Sequence, residues 1–330
     1  MYCDLPDLYG PFKDVMPGYV AYKRSLGCKY GHTILQRLKE IDRFFAEHGV
    51  TDVAVSEEIF ELWSARRGDE RRSNQWKRIS ALNCFCRYLT GRGFADVCTR
   101  EYPKGAWERT FFPYIFTHAQ IAALFAAAGD MWRKRRGDRD AATMAVLISL
   151  YYGCGLRKCE ALHLTMRDVN LDMGTVRIME GKNGTSRIVA AAGSVMRAME
   201  TYCELFCMGI DDDAFVFQNS RGNRFGDHQL YAMYRDLLIA AGIPKRQDAR
   251  GPRIHDLRHT FCVHALEQMD RRGLDLYASA PLLCAYLGHK TISETEYYLR
   301  LVEENFRDIE EKSRRYAPGL FPKEDDHNGK

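Results

Sequence analysis

The sequence predicts a mainly α protein with a small β-sheet, an α+β chain in two domains, and three observations carry that reading. Apolar residues recur at helical spacing through most of the chain. One short stretch alternates apolar and polar residues around an Asn-Gly turn. A stretch with Pro103, Gly105 and Pro113 and little periodicity then separates two blocks of helical pattern. With 330 residues, 46% of them hydrophobic, the chain buries more than one core, which argues against a single small binding module.

Taken in order, residues 1–11 read as an N-terminal extension and 12–98 as a small helical domain. Ile34, Leu38, Ile41 and Phe45 share one helix face, and Ile79, Leu82, Cys86 and Leu89 repeat the pattern in a later helix. That later helix starts with Arg71, Arg72, Ser73, Asn74, Gln75, Lys77 and Arg78, a basic and amide-rich end. Residues 99–113 are the linker, and a second domain is expected over 114–317. Thr117 followed by Gln120 has the form of a capping box, opening a helix through Ile121, Leu124 and Phe125. Val176 and Ile178 alternate with polar neighbours, Asn183-Gly184 supplies a turn, and Ile188 with Val189 resume the extended pattern, which puts Lys182 at a hairpin tip. Helices are expected over 194–206, 228–241, 257–269, around 281–287 and around 294–311. The polar tail, 318–330, has the composition of a disordered segment.

Composition limits the function classes. The net charge of +4, from 48 basic against 44 acidic residues, permits nucleic-acid binding without demanding it, so local charge has to carry that argument. The eleven cysteines are odd in number and form no C-x-x-C pair, which indicates neither a zinc site nor a disulfide framework and fits a reducing cytoplasm. The longest apolar run, 141–152, is too short to cross a bilayer, and the acidic N-terminus does not resemble a signal peptide, so a soluble cytoplasmic protein is expected.

Six polar residues stand in short islands: Arg157 in Gly-Leu-Arg-Lys-Cys-Glu, Lys182 at the hairpin, His255 and Arg258 in His-Asp-Leu-Arg-His-Thr, His289 in Leu-Gly-His, and Tyr298 nine residues later. Each has an ordinary reading of its own. Arg157 pairs equally well with Glu160, Lys182 suits a solvated tip, and His255 with Arg258 suits a helix cap. His289 suits a helix end, and Tyr298 beside Tyr297 suits a core aromatic. Together they are chemically coherent. Guanidinium groups match phosphate oxygens, a tyrosine is a nucleophile, and histidine and lysine move the protons that attack and departure require, all without a metal. A metal-dependent nuclease would need a carboxylate pair, and none is placed for it.

The order and spacing of these islands resemble the tyrosine recombinases, the family of phage integrases, Cre and the Xer proteins, over most of the chain. Gly155-Leu156-Arg157 with Glu160 is similar to the family's first arginine motif, and Lys182 falls on its hairpin lysine. His255-Asp256-Leu257-Arg258-His259-Thr260 is similar to its His-x-x-Arg box, Leu287-Gly288-His289 to the next motif, and Tyr298 has the nucleophile's offset. The resemblance implies a helical core-binding domain followed by a tyrosine-recombinase catalytic domain, clamped on double-stranded DNA. It implies that Tyr298 attacks the scissile phosphate to leave a 3′-phosphotyrosyl link, with no cofactor and no metal. Arg157 and Arg258 would hold the nonbridging oxygens, Lys182 would protonate the leaving 5′-oxygen, and His255 and His289 would assist by proton transfer or hydrogen bonding.

For DNA contacts the candidates are Arg71, Arg72, Lys77 and Arg78 on phosphates with Asn74 or Gln75 on a base edge, and Lys245, Arg246, Arg250 and Arg253 as a second basic stretch; a solvated polar face accounts for any one of them equally well. By the same resemblance the partners are DNA and further recombinase copies, as a homo-tetramer on paired sites or a mixed assembly with companion recombinases, and no membrane. Two departures stand out: the segment between Arg258 and His289 is longer than in compact members, and no separate arm-binding domain precedes the core-binding helices. Integration or excision of a mobile element is the favoured role over resolution of chromosome dimers. A type IB topoisomerase-like strand transferase and a DNA-binding accessory protein without catalysis are the alternative readings.

Overall fold

The computed structural model describes residues 7–100, 113–135, 137–179, 186–219, 221–243, 251–293, 295 and 298. The chain divides into two compact units, Met1–Thr110 and Phe111–Lys330. Among the described residues it is mostly helical with a single three-stranded sheet, as the patterning predicts.

The first unit holds α1 (Met16–Ser25), α2 (His32–Glu47), α3 (Glu57–Ser64) and α4 (Arg72–Gly91). Leu38, Ile41 and Phe45 of α2 pack with Leu82, Phe85 and Leu89 of α4, so the helical stripes read from the sequence become the core. The described residues of the segment expected to be an extension, from Asp7 on, are held to this unit. Asp42, itself buried, accepts hydrogen bonds from the backbone N–H groups of Tyr9 (3.0 Å), Gly10 (2.7 Å) and Phe12 (3.0 Å). Only glycine fits at position 10, because a Cβ there would collide with the Asp42 backbone carbonyl. At the other end, the Asn83 side chain donates to the Arg100 carbonyl at 2.8 Å and accepts from its N–H at 3.1 Å, so residues 99 and 100 still belong to the helical unit. The rest of the expected linker, up to 112, lies outside the described residues.

In the second unit α5 (His118–Lys134) opens with the capping box, Thr117 accepting from the Gln120 N–H and Gln120 from the Thr117 N–H. Next comes α6 (Arg139–Gly153), whose residues from Ala141 to Tyr151 are nearly all buried. A helix apolar on every side is a core helix, and this one packs against α5, α8 and α10. After α7 (Lys158–Leu162) and a 3-10 turn, the strands β1 (Val169–Asn170), β2 (Thr175–Ile178) and β3 (Arg187–Ala190) form an antiparallel sheet in the order β1-β2-β3. Thr175 pairs with Ala190 and Ile178 with Arg187. The hairpin tip that carries Lys182 lies outside the described residues.

The helices α8 (Gly193–Phe206), α9 (Asp227–Ala240), α10 (Ile254–Arg271) and α11 (Leu276–Leu287) complete the unit. The last differs from expectation. The helix expected around 281–287 starts five residues earlier, at Leu276, where Asp275 caps it through the N–H groups of Tyr277 and Ala278, and Pro281 sits inside it. The helix expected around 294–311 lies almost wholly outside the described residues; Thr295 and Tyr298 within it, and Ser293 just before it, are helical.

Removing the Asp42 carboxylate leaves three backbone donors without their acceptor, those of Gly10 and Phe12 in buried positions. Asp42→Ala is expected to lower the stability of the helical unit by about 3 kcal/mol. Denaturant unfolding of the full chain checks this, and a midpoint unchanged from wild type would mean that water replaces the carboxylate at no cost.

Candidate active site

Three pieces of chain meet around the carboxylate of Glu160. The first is the bend from α6 into α7. Gly155 adopts φ +60°, and a Cβ there would press on Phe261 and Leu287, so both conformation and packing require glycine before Leu156-Arg157. Arg157 then caps α7: its N–H and its Nη1 donate to Glu160 at 2.9 and 2.8 Å. The second piece is the start of α10, where the His255/Arg258 spacing turns Arg258 into the protein, 1% exposed. The third is the end of α11, closed by Gly288 in the left-handed conformation at φ +66°.

The last carbonyls of a helix lack partners within it. Here three successive ones each receive a different arginine. Arg187 Nε donates to the Tyr286 carbonyl at 2.9 Å, Arg258 Nη2 to Leu287 at 2.8 Å, and Arg157 Nη2 to Gly288 at 3.1 Å. Arg258 Nη1 also donates to the Gly155 carbonyl at 2.6 Å, tying the first piece to the other two. All three guanidinium groups lie around Glu160: Arg187 donates twice, at 3.1 and 2.8 Å, and Arg258 stands 3.8 Å away as an ion pair. Burial acts to raise the Glu160 carboxyl, but the hydrogen bonds from Arg187 and Arg157 outweigh it and hold the group at about 2. Burial, with Arg157 beside it, lowers the Arg258 guanidinium to about 10.

Three imidazoles and Tyr298 complete the group. His289 Nδ1 lies 2.9 Å from Thr295 Oγ1, a buried partner that fixes the ring, and the ring stacks on Tyr298 with centroids 6.1 Å apart. His259 Nδ1 lies 2.7 Å from Tyr298 Oη, and His255 meets the His259 ring edge-on at 4.6 Å. Burial, followed by the charges of neighbouring arginines and histidines, pushes His259 and His289 each down to about 3, and His255 at the mouth is lowered by desolvation and by Arg258 and Arg253. The imidazoles are therefore neutral at pH 7.

Of the six predicted residues, Arg157, His255, Arg258, His289 and Tyr298 fall within this constellation, and Lys182 lies outside the described residues. Two participants were not singled out by sequence reasoning. Arg187 reads there as an ordinary arginine at a strand start; its only signal is its place just after the hairpin of Lys182. His259 was quoted only as part of the His-x-x-Arg box, although its four-residue spacing from His255 puts both rings on one helix face.

The predicted DNA contacts are divided by the structure. Arg71, Arg72, Asn74 and Lys77 are exposed at the start of α4. Arg78 is not available to a ligand. It is buried, donates to Glu70 at 2.8 and 3.2 Å and to the Ala65 carbonyl at 2.9 Å, and lies over the Trp63 ring. Arg78 lies four residues before Leu82 and next to Ile79, so the helical period that makes those two core residues also turns Arg78 inward. Gln75 donates its amide to the Ser64 carbonyl at 2.9 Å. Arg253 is half-exposed and paired with Asp256 at 2.8 Å; Lys245, Arg246 and Arg250 lie outside the described residues.

Among the described residues one group of metal-ligand type comes together, His118, His264 and Glu267. Its two imidazoles stack, with centroids 3.8 Å apart and planes 24° from parallel, so their in-plane lone pairs run side by side instead of converging. The ten described cysteines are all free. No described helix is long and apolar enough to cross a membrane.

Residues 115–305 match the model of the phage integrase family. Tyrosine recombinase XerC of Rhizobium meliloti is 29% identical over 72% of this chain and 69% of its own length, and XerC of Pelobacter propionicus is 28% identical over 89% and 92%. Two solved structures share the fold: the XerH site-specific recombinase bound to difH substrate, with TM-score 0.62 at 17% identity over 86% of this chain and 79% of that one, and the Tn1549 transposon integrase in complex with transposon end DNA, with TM-score 0.60 at 15% identity over 90% and 97%. The chain belongs to the phage integrase family, the tyrosine recombinases, which cleave and religate DNA.

Glu160 is held below its ordinary value of 4.5, so its stabilising effect is fully present above about pH 4.5 and is lost as pH falls through about 2. Glu160→Gln is therefore expected to cost about 3 kcal/mol at pH 7, with the gap to wild type narrowing below pH 4.5. Thermal unfolding at pH 7 and pH 4 checks it; equal stability at pH 7 would show that the three arginines do not need this counter-charge.

Proposed function

We propose that this chain cuts and rejoins duplex DNA at specific sites through a 3′-phosphotyrosyl bond to Tyr298. The observation that carries this reading is convergence at one corner. Arg258 and Arg157 grip the carbonyls of Leu287 and Gly288, His289 is the next residue, and the His289 ring stacks on Tyr298. A family motif match alone would leave those residues scattered over 142 positions of sequence.

In the proposed reaction Tyr298 Oη attacks the scissile phosphorus, the bond to the 5′-oxygen breaks, and the phosphodiester energy is retained in the new link. Arg258 supplies five N–H donors in a rigid fork, of which the Gly155 and Leu287 carbonyls fix two of its nitrogens. Donors fixed in advance stabilise the pentavalent transition state without reorganising during the reaction, and removal of one such donor typically costs about 100- to 1000-fold in rate. Arg157 is positioned in the same way by Glu160 and Gly288. Lys182 supplies the proton to the 5′-oxygen, and His255 and His289 hydrogen-bond the phosphate. Exchange between two DNA sites calls for a tetramer of this chain or a mixed assembly with companion recombinases. Arg71, Arg72, Asn74 and Lys77 offer the helical unit's contacts to DNA.

Two measurements test this reading. Incubated with nicked DNA drawn from its own genomic flanks, the wild type is expected to form a denaturation-resistant protein–DNA adduct that Tyr298→Phe abolishes. Persistence of the adduct in Tyr298→Phe would move the nucleophile elsewhere, with Tyr297 the next candidate, and DNA binding with no wild-type adduct would favour a binding protein. Separately, Lys77→Ala is expected to weaken binding about equally for all sequences and to reduce the slope of log affinity against log salt by about 0.9. An unchanged slope in gel-shift titrations would remove Lys77 from the interface.

A further inference from the structure

We infer that His259 is a catalytic residue that takes the proton of Tyr298, and that it becomes able to do so when a DNA phosphate enters the site. The inference rests on Tyr298 being the nucleophile. Of the three imidazoles around Tyr298, His259 is the one whose ring nitrogen lies at hydrogen-bond distance from the reacting oxygen, 2.7 Å. His289 instead presents its ring face to the tyrosine and directs Nδ1 to Thr295. With His259 neutral and its own proton on Nε2, the Tyr298 hydroxyl donates to Nδ1. Transfer along that bond needs no rearrangement of either side chain.

The free protein holds this transfer in check. His259 is acted on by His255 and Arg258 of its own helix, by Arg253 at that helix's cap and by His289 just past the end of α11, and it meets Tyr298, whose hydroxyl is also in hydrogen-bond contact with Cys262. No carboxylate is among the charges that act on it most, and burial and the neighbouring positive charges hold it at about 3. A base lowered that far takes a phenol's proton only weakly. A phosphodiester held by Arg157 and Arg258 adds a negative charge where the surrounding groups are positive, and this raises His259 towards the range of a working base. The proton balance is then complete. The O–P bond to Tyr298 forms as its proton moves to His259 Nδ1, and the P–O bond to the 5′-oxygen breaks as that oxygen takes a proton from Lys182. Religation returns the proton from His259 to Tyr298.

The test measures single-turnover adduct formation on nicked DNA from pH 5.5 to 9.5 for the full-chain wild type, His259→Ala and His259→Gln, with DNA affinity measured alongside. Glutamine accepts a hydrogen bond from the phenol but cannot take its proton. Both variants are expected to bind DNA as wild type does and to react about 100-fold more slowly at pH 7. Their rates should then climb about tenfold per pH unit as hydroxide replaces the missing base, while the wild-type rate levels off. If His259→Ala does not fold, the profile of His259→Gln decides. A His259→Gln variant with the wild-type rate and profile overturns the inference and leaves Tyr298 in place. Absence of adduct from the wild type overturns the Tyr298 assignment, and the inference with it.

Discussion

Three guanidinium groups do not pack side by side inside a protein unless something of opposite charge stands among them, because each loses its hydration and each repels the others. Glu160 is that group. Its two oxygens receive Arg157 and Arg187 directly, and one of them stands 3.8 Å from Arg258. Each arginine then has donors left for one carbonyl of the α11 terminus, at residues 286, 287 and 288. The carboxylate therefore fixes the arginines, and the arginines fix the corner from which His289 and Tyr298 follow. Replacing it with a neutral group of the same shape keeps the packing and removes what makes the packing possible.

The balance of charge inside the constellation is as informative as its geometry. Three arginines face one carboxylate, and the histidines are neutral because they are the groups able to lose their charge. The site thus carries an excess of positive charge in surroundings that screen it poorly, the electrostatic complement of a phosphodiester. Net charge gives little warning of this. An excess of +4 over 330 residues says nothing of how the charges cluster.

Much of this was legible in the sequence, for identifiable reasons. Helical period exposes the cores of both units, and Gly155 and Gly288 mark the two bends because no other residue tolerates those conformations beside Phe261 and Arg187. What the sequence hides is direction. Arg78 and Arg258 are both arginines near helix starts, and one is locked onto Glu70 under a core face while the other reaches the end of α11. Arg187 was hidden because its importance comes from Glu160, 27 residues away, and His259 because its partner is 39 residues further on. The core helix α6 lacks a polar face, so its residues read as an apolar run with no period to identify them.

The same burial that orders the site also sets what its groups can do. Arg258 is 1% exposed and Tyr298 5%, so their hydrogen bonds compete with little water and the charges around them are screened weakly. A guanidinium whose fork is fixed on the Gly155 and Leu287 carbonyls has few other arrangements open to it. An anion that met this corner would find donors already oriented and positive charge already concentrated, because Glu160 balances only part of it.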